Sequence, residues 1–434
     1  MVNEKLVELA EFTVEELLKA GNDEGQVFIT ESEVVEIAYK NGEYNTCSTA
    51  FQNDINVIVM KDHKKGAHFL NKANKEAALE AVKTATEAME AAEVDEANKI
   101  APNQGLIEKT MGVLEPDLDK LFERMEELRA TVEKEYPLIS VGNIDATYSK
   151  RDMVYKNTSG TLCKEQAGSY YVGMQFAGKD GEKITSLNSC GVSTYTLDKP
   201  IIDCSDFRLA LEQMEKQLDA VALEGKFTGT VMMNTGAVDQ FVNYLKGVGT
   251  SGAYVLDGTS VWLDKIGEQV TSEKLSVRLD PHDERIVRGE TLTFDGFKSE
   301  AYDVIENGVL KNYMIDYYIS EKTGYKKALN LGNDMIIKAG DVSYQDMIKN
   351  IKKGILIDGF SGGYPAVNGD FSGVVKNGFL IEDGKISNAI TETMISGNLF
   401  EMFKNIKDVS KELVCEGWGV TPYMSFDGVV ISGK

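Results

Sequence analysis

Three histidines, five cysteines and a few glycine-flanked polar residues are the groups in this 434-residue chain with which chemistry could be done. A zinc peptidase of the helix-borne type needs two histidines on one helical face and a glutamate beside the metal. The imidazoles donate neutral nitrogens and the glutamate takes a proton from bound water. His63, His68 and His282 do not meet that need, since none precedes a glutamate and none shares a helical pattern with another. His63 and His68 fall five apart in a strand–loop–strand setting, where their rings would diverge. A Ser–His–Asp triad would have to use His282, in the turn Asp280-Pro281-His282-Asp283, and there is no GxSxG elbow to present the serine. Cys47, Cys163, Cys190, Cys204 and Cys415 are odd in number, widely spaced and never CxxC, the pattern of reduced, mostly buried thiols. Carboxylate pairs are so common here that their presence discriminates nothing.

Two glycine motifs carry more. Gly247-Val248-Gly249-Thr250-Ser251-Gly252 matches GxGxxG in letters. The phosphate-binding version follows a strand and opens a helix, whereas this one follows a helical pattern, so it is rejected. Gly362 and Gly363, followed by Asn368-Gly369-Asp370, are the better candidates. A strand edge among glycines can accept an extended peptide by main-chain pairing, and tight turns are the plainer use of the same residues. Asn398, in Ile395-Ser396-Gly397-Asn398, offers either free amide donors to a carboxylate or a helix N-cap. The candidate peptide-binding set is thus Gly362, Gly363, Asn368, Asp370 and Asn398.

The element that must hold these residues is the stretch from Ile357 to Asn398. Short β-favouring runs alternate with glycines, and Asn377-Gly378 and Asp383-Gly384 are dipeptides that close two-residue hairpins through positive φ. LFEMFKNIKDV follows, with Leu399, Phe400, Phe403 and Ile406 on one helical face. Upstream, the pattern predicts a first helix over residues 1–20, strands from Gln26 to Leu70 turning at Asn41-Gly42, and a helix from Asn74 to about Ala92. An irregular connector over 93–115, a helix after Pro116 and strands from Leu138 to Leu197 come next. Asp203 or Ser205 is expected to cap the helix FRLALEQMEKQLDAVAL, which runs toward Gly225, and the strand TGTVMMN leads to the helix AVDQFVNYLKGV. The hairpin phrases Ile305-Glu306-Asn307-Gly308 and Ile381-Glu382-Asp383-Gly384 echo one another, as type I′ turns alone would produce. These readings predict an α+β fold. An N-terminal α+β domain over 1–224 precedes a largely antiparallel, hairpin-rich sheet domain with flanking helices over 225–434.

The net charge of −23, from 46 basic and 69 acidic residues, repels phosphate backbones and anionic lipids, so neither direct nucleic-acid nor membrane binding is expected. No apolar run approaches eighteen residues, and MVNEKLVELAEF lacks the features of a signal peptide. A cytoplasmic location is the expectation.

GDFSGVVKNGFLIEDGKI, ISGNLFEMFKNI and FDGFKSEAYDVIENGVLKNYMIDYYISEKTG together resemble the C-terminal region of the TldD/PmbA family, in which a GDF…GFLIENG…I.GN pattern recurs. In the TldD branch an HExxxH motif lies on the helix early in this region. Its counterpart here is Gln240-Phe241-Val242-Asn243-Tyr244-Leu245, with Gln240 and Leu245 at the histidine positions and Phe241 at the glutamate. The chain is therefore similar to the PmbA (TldE) branch. That branch also lacks a use for Cys415, which stands in the neighbourhood of a TldD cysteine ligand. The resemblance implies a heteromeric TldD–TldE protease that trims unfolded peptides, including peptide-antibiotic precursors and an antitoxin, and that older names call a modulator of DNA gyrase. It implies a subunit with no catalytic residue, no metal and no cofactor of its own, dimerising with a TldD-like catalytic homologue or with itself and binding an extended peptide. An independent non-metal hydrolase and a purely peptide-binding regulatory protein remain the alternatives.

Overall fold

Val27 and Ile29, then Val35 and Ile37, alternate with polar residues toward both ends of EGQVFITESEVVEIAYK and draw out a 17-residue strand, whose return strand begins after a two-residue turn. Asn41 at φ 53° and Gly42 at φ 91° make the type I′ turn between them, whose twist matches that of the flanking strands. The computed structural model describes residues 3–332 and 334–434. Its N-terminal half runs α1 (Glu4–Lys19), β1 (Glu24–Lys40), β2 (Glu43–Lys61), β3 (Lys64–Leu70), α2 (Lys75–Ala91), β4 (Leu106–Gly112), α3 (Leu118–Glu135), β5 (Ile139–Asn157), β6 (Leu162–Asp180), β7 (Lys183–Ile184), β8 (Asn188–Thr194) and α4 (Phe207–Lys216). The strands form one sheet in the order β3-β2-β1-β5-β6-β4, with β7 and β8 also paired to β6.

One face of this sheet is covered by helices. Val27 and Ile29 of β1 pack with α1 and α2, and Val35 and Ile37, further along the same face, pack with α3 and α4. Even-numbered residues of β1 face the other way, and Gln26 and Phe28 at its start meet the C-terminal half. Gln26 Nε2 donates to the Phe294 carbonyl at 3.1 Å, and Met153, Tyr155 and Cys163 enclose Leu292.

The C-terminal half contains β9 (Val221–Ala222), β10 (Lys226–Met233), α5 (Thr235–Thr250), α6 (Gly252–Leu256), β11 (Val277–Leu279), β12 (Tyr302–Glu306), β13 (Val309–Leu310), α7 (Tyr317–Thr323), β14 (Met335–Ile337), α8 (Tyr344–Lys349), β15 (Lys353–Ile357), β16 (Gly359–Gly362), β17 (Asp370–Lys376), β18 (Gly378–Glu382), β19 (Lys385–Thr391), β20 (Met394–Asn398), α9 (Leu399–Lys404), β21 (Ile406–Cys415) and β22 (Gly419–Ser432). Its sheet follows β13-β12-β11-β14-β22-β10-β15-β18-β19-β9, and a branch β16-β17-β20 joins β22. The pairing is mainly antiparallel, with β10–β15, β14–β22 and β9–β19 parallel. The core is built on α5, whose Phe241, Val242, Leu245 and Val248 are fully buried. Each such side chain contributes about 1.5–3 kcal/mol on leaving water. No described helix is long and apolar enough to cross a membrane.

The α+β class holds, and several local expectations do not. Asn377-Gly378 closes no hairpin, because β17 pairs with β16 and β20 while β18 pairs with β15 and β19. Asn377 takes φ 51° to pass the chain from one branch to the other. Asp383-Gly384 does close one, with Glu382 opposite Lys385. The helix after Asn398 stops at Lys404, and Ile406 opens a strand instead, so a helical face of four residues was also the start of a β alternation. The helix predicted to run from Phe207 to Gly225 ends at Lys216. Neither Asp203 nor Ser205 caps it. Asp203 binds Arg208 Nε at 2.7 Å, and Asp206 holds the cap position without a side-chain cap bond. The connector over 93–115 contains β4, which pairs with β6 in parallel.

Candidate functional site

The literal GxGxxG run lies at the end of α5, where its glycines serve packing. A Cβ on Gly249 would stand 2.4 Å from the Trp262 ring. The residues set against the HExxxH of the TldD branch by resemblance are spent on structure as well. Gln240 Nε2 donates to the Tyr244 hydroxyl at 2.8 Å and to the Phe360 carbonyl at 3.2 Å. Phe241 stacks edge-on against Phe360 and Phe371, and Leu245 is fully buried. An amide donor, a phenyl ring and an isobutyl group offer Zn²⁺ no lone pair of the type it takes. Cys415 directs its thiol to the Arg285 carbonyl at 3.4 Å. Among the described residues no group of three or more His, Cys, Asp or Glu side chains is disposed to hold a metal ion. Nor does His282 serve a triad, since Nδ1 meets Lys109 Nζ at 3.1 Å and Nε2 meets the Ser299 carbonyl at 3.0 Å. The ammonium can only donate to Nδ1 and the carbonyl can only accept, which fixes the proton on Nε2.

The five sequence candidates divide into two places. Asn398 Oδ1 accepts from the Phe400 and Glu401 amides as the N-cap of α9. Its Nδ2 donates to the Asn368 carbonyl at 2.8 Å and to Asp370 Oδ1 at 3.0 Å. Asn368 Nδ2 donates in turn to Asp370 Oδ2 at 2.8 Å. These three form one turn-and-cap network. Gly362 and Gly363 lie at the other end of the 363–369 connection, beside α5. Among the described residues β16 pairs only with β17, and its other edge faces Gln240. The Phe360 carbonyl points to that edge, so by strand alternation the N–H and C=O of Gly362 point there too. Around a Cβ placed on Gly363 there is open space.

A second cluster escaped the sequence reading. Asn234 and Asp358 follow directly on β10 and β15, the two neighbouring parallel strands whose carboxyl ends open together, a position where α/β sheets commonly bind ligands. That placement was the available signal, in MMN and ILID, and it went unread because parallel pairing was not foreseen. Asn234 Nδ2 donates to Asp358 Oδ1 at 2.9 Å and to Gln213 Oε1 at 2.7 Å. Asn188 of β8 donates to Asp358 Oδ2 at 2.7 Å. Thr235 and Ser205 hydroxyls hold Asp206 at 3.2 and 3.3 Å, and Glu416 stands near enough to Asp206 and Asp239 for their charges to act on it. The cluster therefore lies on the seam between the two sheets. Two surface recesses flank it, one of about 650 Å³ reaching Gln213 and Tyr344, the other of about 580 Å³ reaching Ser205 and Gly417.

Its electrostatics are unbalanced. Burial, then the charges of Asp206 and Asp239, push Glu416 up to about 7, and the Trp418 indole N–H offsets this in part. Burial and the Asp358 charge raise Asp206. Burial raises Asp239, against the pull of Lys246 and Asn243. Lys246 itself is 4% exposed, and burial lowers it to about 8 despite Asp239. No lysine or arginine among the described residues forms an ion pair with Asp206, Asp358 or Glu416. A buried carboxylate without a cation is costly, and functional sites are where such costs collect.

Residues 225–433 match the sequence model of the PmbA/TldA metallopeptidase C-terminal domain. Over 429 residues the chain is 22% identical to Metalloprotease PmbA of Escherichia coli O157:H7, covering 94% of this chain and 92% of that one. A TldD homologue of Buchnera aphidicola is 28% identical over 215 residues, 46% of this chain and 44% of that one. Among solved structures, TldE from Thermococcus kodakarensis superposes with a TM-score of 0.84 at 21% identity, covering 98% of this chain and 99% of that one. A Bacteroides thetaiotaomicron protein described as a candidate modulator of DNA gyrase gives a TM-score of 0.83 at 20% identity, with both chains covered in full.

Proposed function

We propose that this chain, a PmbA/TldD-family protein through its C-terminal half, is the metal-free, peptide-binding subunit of a TldD–TldE-type protease. A protease-related role comes from the relatives, and the finer assignment rests on one juxtaposition. On α5, where the catalytic branch carries HExxxH, this chain carries Gln240, Phe241 and Leu245, and Gln240 touches the free edge of β16. The scaffold that would surround a metal is kept while its ligands are replaced by an amide and two core residues. The strand beside it offers the Gly362 N–H and C=O to an extended chain, whose main-chain pairing recognises no particular sequence. In this reading the subunit holds unfolded peptide near a TldD-like partner's zinc, in a heteromer, and Gly362 and Gly363 are its contact residues. The Asn368–Asp370–Asn398 network keeps the far end of the connecting loop rigid.

Two measurements test it. Metal analysis of the purified chain is expected to find no stoichiometric zinc, and one tightly held zinc per chain with chelator-sensitive proteolysis would refute the assignment. Peptides N-methylated at alternate residues separate edge pairing from side-chain capture. One of the two N-methylation registers is expected to lose binding at least tenfold and the other to keep it, and equal binding of both would exclude β16 pairing.

A further inference from the structure

The sheet of the N-terminal half has a long open edge. β2 pairs with β1 along nearly its whole length, but β3 reaches only its residues 55–61. Among the described residues no strand lies on the outer side of residues 43–54, so about half of their N–H and C=O groups point outward unpaired. Tyr44 to Asn53, YNTCSTAFQN, contains no charge, no proline and no glycine, in a chain where 26% of residues are charged. All of these residues except Thr46 are exposed. A bulge interrupts the ladder only toward the hairpin end, beside Ala38 and Tyr39. An edge of this kind is a template for pairing with another chain, and proteins blunt such edges with lysine, proline or cover.

Other edges of the same sheet follow that rule. β3 begins with Lys64 and Lys65, and β4 carries Glu108 and Lys109. β8, NSCGVST, is as free of charge as the open part of β2, and it is covered, since the Ser193 amide donates to the Glu416 carbonyl of the C-terminal half at 2.8 Å. In this sheet an uncharged edge is a covered one, and residues 44–53 break the pattern. Exposed rings lie in the same place. Tyr44 is opposite Tyr39 and Phe51 opposite Glu33, which puts both on the face that bears α3. The Tyr44 ring is 5.3 Å from that of Phe122 on α3. Phe51, Tyr44 and Phe122 are 73%, 44% and 41% exposed, and aromatic surface beside an open edge marks a contact.

We propose that residues 44–53 of β2 pair antiparallel with the same residues of a second copy of this chain, joining two N-terminal sheets into one. Charge favours this occupant. Two chains at −23 repel one another, and along this stretch neither brings a charge to the contact, whereas a strongly charged partner would gain no ion pair there. Symmetry favours it as well. Antiparallel pairing about a two-fold axis is isologous, so one edge serves as its own partner and the contact closes on a dimer instead of growing into a fibre. The axis stands normal to the sheet, and each residue meets one on its own face. Cys47, Thr49 and Phe51 therefore meet their counterparts on the helix-covered face, and Ser48, Ala50 and Gln52 meet theirs on the other. The contact belongs to a different sheet from β16 and does not depend on the peptide-binding role given above.

The test uses the full chain under reducing conditions, so that the exposed Cys47 cannot imitate the contact with a disulfide. Sedimentation velocity at micromolar concentrations follows the wild type and two double variants, Ser48→Lys/Ala50→Lys and Ser48→Glu/Ala50→Glu. Both positions are exposed and lie on the face away from the helices, outside the core. The wild type is expected to be a dimer and each variant alone to associate about tenfold or more weakly, since like charges then face each other across the axis. An equimolar mixture of the two variants is expected to regain wild-type association, because lysine now meets glutamate, and a variant that had merely misfolded would not be rescued in this way. A monomeric wild type, a dimer indifferent to both variants, or a mixture that stays dissociated would each overturn the self-pairing. A monomeric wild type that binds a hexapeptide of alternating Thr and Val, with binding lost in the lysine variant, would overturn it in favour of a peptide at this edge.

Discussion

Glu416 and Lys246 are opposite cases of one physical effect, a charge held where water cannot reach it. Glu416 ionises in the unfolded chain near pH 4.5 and in the folded chain near 7. Its ionised form is therefore disfavoured by folding. The penalty is absent below about pH 4.5, grows as pH rises through the interval and is complete above 7. Glu416→Gln is expected to stabilise the protein on the order of 2 kcal/mol at pH 8 and negligibly at pH 4. Chemical denaturation at the two pH values checks this, and an equal gain at both would show that packing, not charge, is responsible. Lys246 runs the other way. Its folded value near 8 lies below the unfolded 10.5, so the penalty is present at pH 7 and disappears as pH rises from 8 to 10.5. Lys246→Met, similar in volume, is expected to gain roughly 1–3 kcal/mol at pH 7 and nothing at pH 10.5. At this scale the sequence was readable only in part. The lack of metal ligands at Gln240, Phe241 and Leu245 could be read from residue type. The acid cluster could not, because Asp206, Asp358 and Glu416 are three among 69 acidic residues and become neighbours only when the start of α4, the end of β15 and the β21–β22 turn meet.

Elements were legible wherever one local rule acted alone. Asn41-Gly42 and Asp383-Gly384 made the hairpins their dipeptides call for, and Asn74 capped α2 through the Ala77 amide at 2.9 Å. Where a local signal had two outlets, tertiary pairing decided. Asn377 took the positive φ that its dipeptide favours, yet Gly378 begins a strand that pairs with β15 and β19, because three neighbouring strands compete for the same edges. The end of α5 makes the same point. Gly247 to Gly252 match a phosphate loop in letters, a reading that the preceding helical pattern rejects, and they form a helix end pared down for close packing. Gly249→Ala is expected to destabilise by about 1–3 kcal/mol, since helix propensity favours alanine by about 1 kcal/mol but the new methyl meets the Trp262 ring. Trp262→Leu in the same chain should relieve that clash. A double-mutant cycle measures it, and additive losses would mean that the ring is not the obstacle.

On the scale of the whole molecule, the two sheets have largely separate apolar cores and meet through a seam that is polar in many of its contacts. Helices cover one face of the N-terminal sheet, and the C-terminal half closes the other. Across that junction Asn188 donates to Asp358 at 2.7 Å, Gln217 Nε2 to the Gly378 carbonyl at 2.7 Å, Gln213 Nε2 to the Tyr344 hydroxyl at 3.2 Å and the Ser193 amide to the Glu416 carbonyl at 2.8 Å. Leu292 against Met153 and Tyr155, Leu209 of α4 against the cluster around Met347 and Phe379, and Tyr171 against Trp418 add apolar contacts among them. A seam of this kind is specific in direction but modest in energy, like the interfaces between domains that shift relative to one another. Gln217 is 9% exposed, so its loss strands the Gly378 carbonyl, and loss of Asn188 leaves Asp358 a charge short of donors; each change costs about 1–3 kcal/mol. Because neither residue belongs to a core, the cost falls on the coupling of the halves rather than on either half. Asn188→Ala/Gln217→Ala is therefore expected to split thermal unfolding into two transitions, each with the enthalpy of one half, where the wild type shows closer coupling. Differential scanning calorimetry with proteolysis between the transitions checks it. One undivided transition moved to lower temperature would mean that the seam and the cores form a single cooperative unit, with the acidic cluster set in a rigid body.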